Sequence, residues 1–278
     1  MIGEVLALFS AFCWAANGAI YKVGLKHGNV LSANFVRVLL TAFGFVLIML
    51  IKGELAEIVE RADLRVWILI VASAIFAFFV GDILYMNAIR RCGIARAVPI
   101  SLTYPLFVAL WTAILYRKIE PNVVFGAMLI VLAIYLIVED RNVNPSSSGF
   151  LFAILAAIFW SFSIMIVKRL TMYLPAEAIA GFRFLVVSAI SVPILARRGF
   201  YLNFECFKWM SASSVVLIAG NYAFVLALSL SSATKVSTLS SVYPIIAQML
   251  ALKLREVITR RTATGTLLAF VGVALVMT

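Results

Sequence analysis

Asp82 is the one carboxylate that falls well inside a long apolar run. A charge at that depth costs roughly 2.5–3.5 kcal/mol on insertion scales, so it has to face a cavity or a partner. Two readings stay open for it. One is a proton or cation site. The other is a carboxylate neutralised by a nearby arginine, with Arg90 and Arg91 two turns on, or hydrated at a helix end. Tyr85 follows Asp82 by one turn. Ser10, Trp14, Asn17 and Tyr21 recur at spacings of four, three and four, which puts them on one face of a helix. In lipid a polar, aromatic face turns inward. An amide beside a flat π surface suits a small zwitterionic or aromatic ligand. The competing use of such a stripe is packing between helices.

Other residues of the same chemistry occupy matching places. Trp160 and Ser163 stand in their apolar run as Trp14 and Asn17 do in theirs. Ser101 precedes Tyr104-Pro105 in one run, and Ser240 precedes Tyr243-Pro244 in another. Asn221 occupies the place of Asp82 and cannot titrate, so a symmetric ion site is not expected. Proline inside a span bends the helix and frees carbonyls, which marks Pro105 and Pro244 as hinges. The candidate substrate-binding set is Trp14, Asn17, Tyr21, Asp82, Tyr85, Ser101, Tyr104, Trp160, Ser163, Asn221, Ser240 and Tyr243. Arg37 and Arg183, some seven residues into their spans, have stems that can snorkel and are read as anchoring or bracing the fold rather than binding substrate.

These residues are carried by an unusually apolar chain. Of 278 residues, 64% are hydrophobic and 13% charged, against about a half and a quarter in a soluble domain. A water-soluble globule of this size could not hide that surface, so the chain reads as an integral membrane protein. Ten continuously apolar runs are long enough to span as helices, near 3–24, 31–51, 66–89, 94–115, 121–139, 149–169, 176–196, 209–229, 234–254 and 260–277. The fold class expected is an all-α membrane protein. Runs without alternation argue against a barrel wall. The first run reads as a spanning helix rather than a cleaved leader. The net charge of +11 sits mostly at helix ends, where Lys and Arg reach lipid headgroups, so membrane lipid rather than nucleic acid is the expected partner. Cys13, Cys92, Cys206 and the lone His27 show no metal or redox spacing, and no cofactor is expected.

The runs divide five and five about the polar stretch 141–148. Segment 3–22 aligns with 149–168 through Gly3/Gly149, Ala7/Ala153, Trp14/Trp160 and Lys22/Lys168, and Arg37 follows Arg183 in the same register. Gly81 to Pro105 aligns with Gly220 to Pro244, and Gly126 with Gly265. Five is odd, so the second half enters the membrane from the opposite side. The expectation is two inverted five-helix repeats, 1–140 and 149–278. Tyr104 and Tyr243 lie about ten residues into their spans, near ~15 Å depth, as do Trp14 and Trp160. Lys and Arg are more numerous on the side away from the N-terminus, which places both termini outside. Gly265 and Ala269 have small-xxx-small spacing for a close helix contact, internal or between two copies.

Trp14 with Asn17 and Lys22, Arg37, the stretch Gly81 to Ala88 followed by Ala95 to Ala97 and Pro105, and their second-half partners resemble the EamA-type branch of the drug/metabolite transporter superfamily. Glu256 upstream of Gly265 fits the same pattern, whereas the first half has Arg117 at that place. The resemblance covers nearly the whole chain. It implies an alternating-access carrier with both termini cytoplasmic, a cavity lined by spans one, three, four, six, eight and nine, and spans five and ten packed outside. It implies substrates ranging over amino acids, other metabolites, nucleotide sugars and cationic drugs.

The function expected is a secondary transporter of the cell membrane exporting a small metabolite, with an amino acid among the candidates. Proton coupling is a candidate, and the protein acts as a monomer or homodimer. An intramembrane enzyme would want clustered His, Asp and Glu, which the spans lack. A channel or sensor of the same architecture would want rings of like residues or a soluble output domain. No ATP-binding motif occurs.

Overall fold

The computed structural model describes residues 2–53, 55–116, 121–138, 147–230, 236, 239–240, 250, 252–254 and 258–277. Tyr243 and Pro244, and most of the expected span 234–254, lie outside the described residues. The described chain is helical, with no strand and one isolated bridge between Gly28 and Leu202. We number the helices α1 (Ile2–Gly24), α2 (Val30–Lys52), α3 (Leu55–Arg61), α4 (Leu64–Ala74), α5 (Asp82–Cys92), α6 (Ile94–Ser101), α7 (Tyr104–Tyr116), α8 (Pro121–Val138), α9 (Ser147–Leu170), α10 (Ala176–Arg198), α11 (Phe204–Leu230) and α12 (Arg260–Met277). Among the described residues, six stretches are long and apolar enough to cross a membrane: Ile2–Gly24, Val30–Lys52, Leu64–Cys92, Ser148–Leu170, Ala176–Arg198 and Phe204–Leu230. The protein is a multi-pass membrane protein.

Short polar signals set the helix ends. Asn29 caps α2 by accepting from Ser32 N at 2.7 Å, and Asp63 caps α4 by accepting from Val66 N at 2.9 Å. The stretch 52–65, expected as a loop, holds the short α3. Gly93, at φ +79°, ends α5 and lets α6 begin at the next residue.

Two features depart from regular spanning helices. Between α4 and α5 the chain winds as a π-helix over Ile75–Gly81, so Leu64 to Cys92 runs on with one widened segment. The expected span 94–115 is not one bent helix but two, broken at Leu102 and Thr103. Pro105 has no N–H to give the Ser101 carbonyl, and the break falls there. Two hydroxyls bond carbonyls one turn back beside it. Ser101 Oγ donates to Val98 O at 3.1 Å, and Thr103 Oγ1 donates to Ile100 O at 2.8 Å.

Packing runs between distant parts of the chain. α1 packs on α11, α2 on α10, α8 on α12, and α9 on the π segment and α5. Glycines let several of these approaches happen. A Cβ on Gly81 would lie 2.6 Å from Trp160 Cδ1, and one on Gly220 would lie 2.7 Å from Cys13 Cβ and 3.8 Å from Trp14 Cδ1. Gly265, Ala269 and Gly272 are buried on α12. At Gly272 a Cβ would lie 2.8 Å from Gly126 O on α8, so α12 and α8 approach closely there. Lys52 at the end of α2 pairs with Glu177 at the start of α10.

Candidate functional site

A cavity of about 130 Å³ opens between these packed pairs. Its walls come from α1 (Trp14, Asn17, Tyr21), the π segment (Ala77, Phe78), α5 (Asp82, Tyr85), α7 (Tyr104), α9 (Trp160, Ser163, Ile164, Val167), α10 (Arg183) and α11 (Leu217, Asn221, Phe224, Val225, Leu228). Nine of the sequence-derived candidates therefore meet at one place: Trp14, Asn17, Tyr21, Asp82, Tyr85, Tyr104, Trp160, Ser163 and Asn221.

The others lie elsewhere or outside view. Ser101 is fully buried, donates to Val98 O and is not on the cavity wall. Pro105 falls in the first turn of α7, directly after the break. Ser240 is buried but not on the described cavity wall.

One side of the cavity is closed by an ion pair. Arg37 Nη2 donates to Asp82 Oδ2 at 2.7 Å. The guanidinium also donates from Nη1 to Tyr21 OH at 2.8 Å and from Nη2 to Asn34 Oδ1. Asn34 Nδ2 in turn donates to Phe78 O, in the π segment, at 2.9 Å. The second carboxylate oxygen, Asp82 Oδ1, accepts from Trp160 Nε1 at 3.0 Å. The arginine partner of Asp82 is thus Arg37, not Arg90 or Arg91. Arg91 is turned away, donating to Ser148 Oγ at 2.7 Å and lying over the Phe152 ring at 4.9 Å.

Neither Arg37 nor Arg183 snorkels. They are 0% and 5% exposed. The expected snorkelling is corrected by their partners, which hold each guanidinium in the protein interior. Arg183 Nη2 donates to Ser163 Oγ at 2.7 Å and to Ser73 O at 3.4 Å, and its guanidinium lies 4.5 Å from the Phe78 ring centre. Arg183 is the cavity residue that sequence reasoning set aside. The signal available was its register with Arg37, which pointed to a shared depth but not to a shared role.

Aromatic rings frame the space. Trp14 packs on Phe224 with centroids 4.8 Å apart, and Trp160 on Tyr85 at 5.0 Å. Asn17 Oδ1 accepts from Ser213 Oγ at 2.7 Å, and Asn221 Nδ2 donates to Leu217 O at 3.0 Å. Among the described residues, Asn17 Nδ2, Tyr104 OH and Arg183 Nε on the wall are buried without a hydrogen-bond partner. Among the described residues no group of three or more His, Cys, Asp or Glu could hold a metal ion. The arrangement can enclose a small molecule between aromatic faces and offer it hydrogen bonds.

The model of the EamA-like transporter family matches residues 1–139 and again 147–278. An uncharacterized transporter of Archaeoglobus fulgidus is 29% identical over 279 residues, covering 100% of this chain and 98% of that protein. A solved structure described only as "Crystal structure of protein" superposes with a TM-score of 0.71 at 16% identity, covering 98% of this chain and 95% of that one. That last likeness concerns the fold alone.

Proposed function

The chain belongs to the EamA-like transporter family, and on that premise we propose that it is a secondary transporter that exports a small metabolite, such as an amino acid, by alternating access. In this reading it is not an enzyme. Ten spanning helices form two inverted five-helix repeats, residues 1–140 and 149–278, and the cavity between them is the substrate site.

The observation that carries the reading is a crossed contact. Gly81 of the first half meets Trp160 of the second, and Gly220 of the second half meets Trp14 of the first. These are the same two residue pairs if the halves are exchanged. The wider packing behaves alike. Exchanging halves turns the α1–α11 contact into that of α9 with the π segment and α5, and returns α2–α10 and α8–α12 to themselves. A cavity on such an axis has walls from both halves, so rocking one half against the other opens it to either side in turn.

Trp14 and Trp160 supply the flat faces, Asn17, Tyr104 and Asn221 the polar contacts, and Ser163 holds Arg183. Tyr21, Asp82 and Tyr85 shape the wall, with Asp82 held by Arg37 and Trp160. Ser240 and Tyr243 are proposed to complete the site from the ninth span, with Pro105 and Pro244 as hinges. Ser101 lies beside the α6–α7 break, off the cavity wall. The test is uptake by reconstituted vesicles combined with a thermal-shift screen of metabolites on the purified protein. A stabilising compound that is also transported supports the reading, because a ligand of the folded state alone raises its stability. A compound that binds with equal affinity after Trp14→Ala and Trp160→Ala contradicts it.

A further inference from the structure

The two arginines of the interior differ in one respect. Arg37 has Asp82 as a counterion at 2.7 Å. Among the described residues no carboxylate lies within ion-pair reach of Arg183. Its hydrogen-bond partners are a hydroxyl and a peptide carbonyl, its aromatic neighbour is Phe78, and its Nε is buried with no partner. The residue matched to Asp82 is Asn221, which is neutral and lines the same cavity. Asp82 also acts electrostatically on Arg183, but its two oxygens are taken by Arg37 and Trp160, so among the described residues Arg183 keeps no direct counterion on the cavity wall. A buried charge without a counterion is costly, and inside a membrane it marks a place where a partner arrives from outside the chain. A guanidinium presents its N–H groups in a plane that fits a carboxylate. Asn17 Nδ2 is a second unsatisfied donor on the same wall, 3% exposed as a residue.

We propose that Arg183 is the anion-binding residue of this cavity and that the substrate bears a carboxylate, bound where the second half lacks the counterpart of Asp82. The proposal rests on the cavity being the transport site. The carboxylate completes the ion pair that Asn221 cannot, with Asn17 as an added donor. The rest of the molecule lies against Trp14, Trp160, Phe224 and the neighbouring aliphatic side chains.

The test is a thermal-shift titration of the full-length purified protein with three matched sets of compounds. These are L-phenylalanine, L-leucine and 3-phenylpropionate; L-phenylalaninamide and L-leucinamide; phenethylamine and isoamylamine. The acids should stabilise the protein, with amides and amines weaker by at least tenfold. Arg183→Gln should weaken acid binding at least tenfold, and Arg183→Lys should retain part of it. Asn221→Asp guards against a misfolded Arg183 variant. It supplies the missing counterion within the chain, so it should keep or raise the melting temperature while abolishing acid binding. Amides or amines that bind as well as acids, or acid binding unchanged in Asn221→Asp, overturn this proposal and leave the cavity reading in place. If no compound of any class shifts the wild-type protein, both fall.

Discussion

Arg37 and Asp82 meet at 2.7 Å across α2 and α5, with the arginine fully buried. The pair is tied further, through Arg37 to Tyr21 and Asn34 and through Asp82 to Trp160. It therefore joins four helices beside the cavity and removes two opposite charges from the apolar interior. The geometry makes Asp82 a positioning residue, because its two oxygens are already engaged by Arg37 and Trp160.

Asp82→Asn should cost about 3–5 kcal/mol of stability, as breaking a buried ion pair leaves its partner uncompensated. Arg37→Gln in the same background should restore part of that loss, since the stranded charge is gone. Denaturation of the single and double variants measures both. Any transport left in Asp82→Asn should respond to a pH gradient as the wild type does. A folded Asp82→Asn protein that has lost a pH-gradient response present in the wild type would make Asp82 the proton site instead.

Gly81→Ala should destabilise the protein by about 1–3 kcal/mol, the usual range for overpacking. The added methyl would sit 2.6 Å from Trp160 Cδ1, 2.7 Å from its Nε1 and 2.8 Å from Phe76 O, and a backbone carbonyl cannot yield cheaply. Gly220→Ala should cost a similar amount against Cys13. Melting temperatures check the pair, and an unchanged value for either removes the close approach at that helix crossing.

Tyr104→Phe separates binding from folding. The hydroxyl is buried on the cavity wall with no partner among the described residues. Removing it should leave the melting temperature unchanged or higher. A substrate that uses the hydroxyl should bind about two- to tenfold more weakly, the worth of one neutral hydrogen bond. A drop in stability with no change in affinity would assign Tyr104 to the fold.

How much of this could be read in the sequence follows from where helices stay regular. The face carrying Trp14, Asn17 and Tyr21 was readable because α1 is unbroken, so spacing translates directly into direction. Asp82 was found as a buried charge, but its partner was not. Arg37 lies on another helix, and nearness along the chain wrongly favoured Arg90 and Arg91. The π-helix over Ile75–Gly81 carries no pattern in a run of apolar residues, yet Phe78 O receives Asn34 there. Ser101 looked like a cavity residue by position. It lies beside the break at Leu102 and Thr103 and off the cavity wall, its hydroxyl on Val98 O one turn back as Ser10 and Ser73 bond theirs in unbroken helices.

Counterflow in reconstituted vesicles tests the central claim most directly. Vesicles holding the protein are preloaded with an unlabelled compound that binds it, then diluted into a trace of the labelled compound. A carrier whose one cavity faces each side in turn exchanges the two, so the account predicts a transient accumulation of label above equilibrium in the wild type, reduced in Trp14→Ala and Trp160→Ala. Label that only approaches equilibrium, or an overshoot untouched by both substitutions, would contradict it.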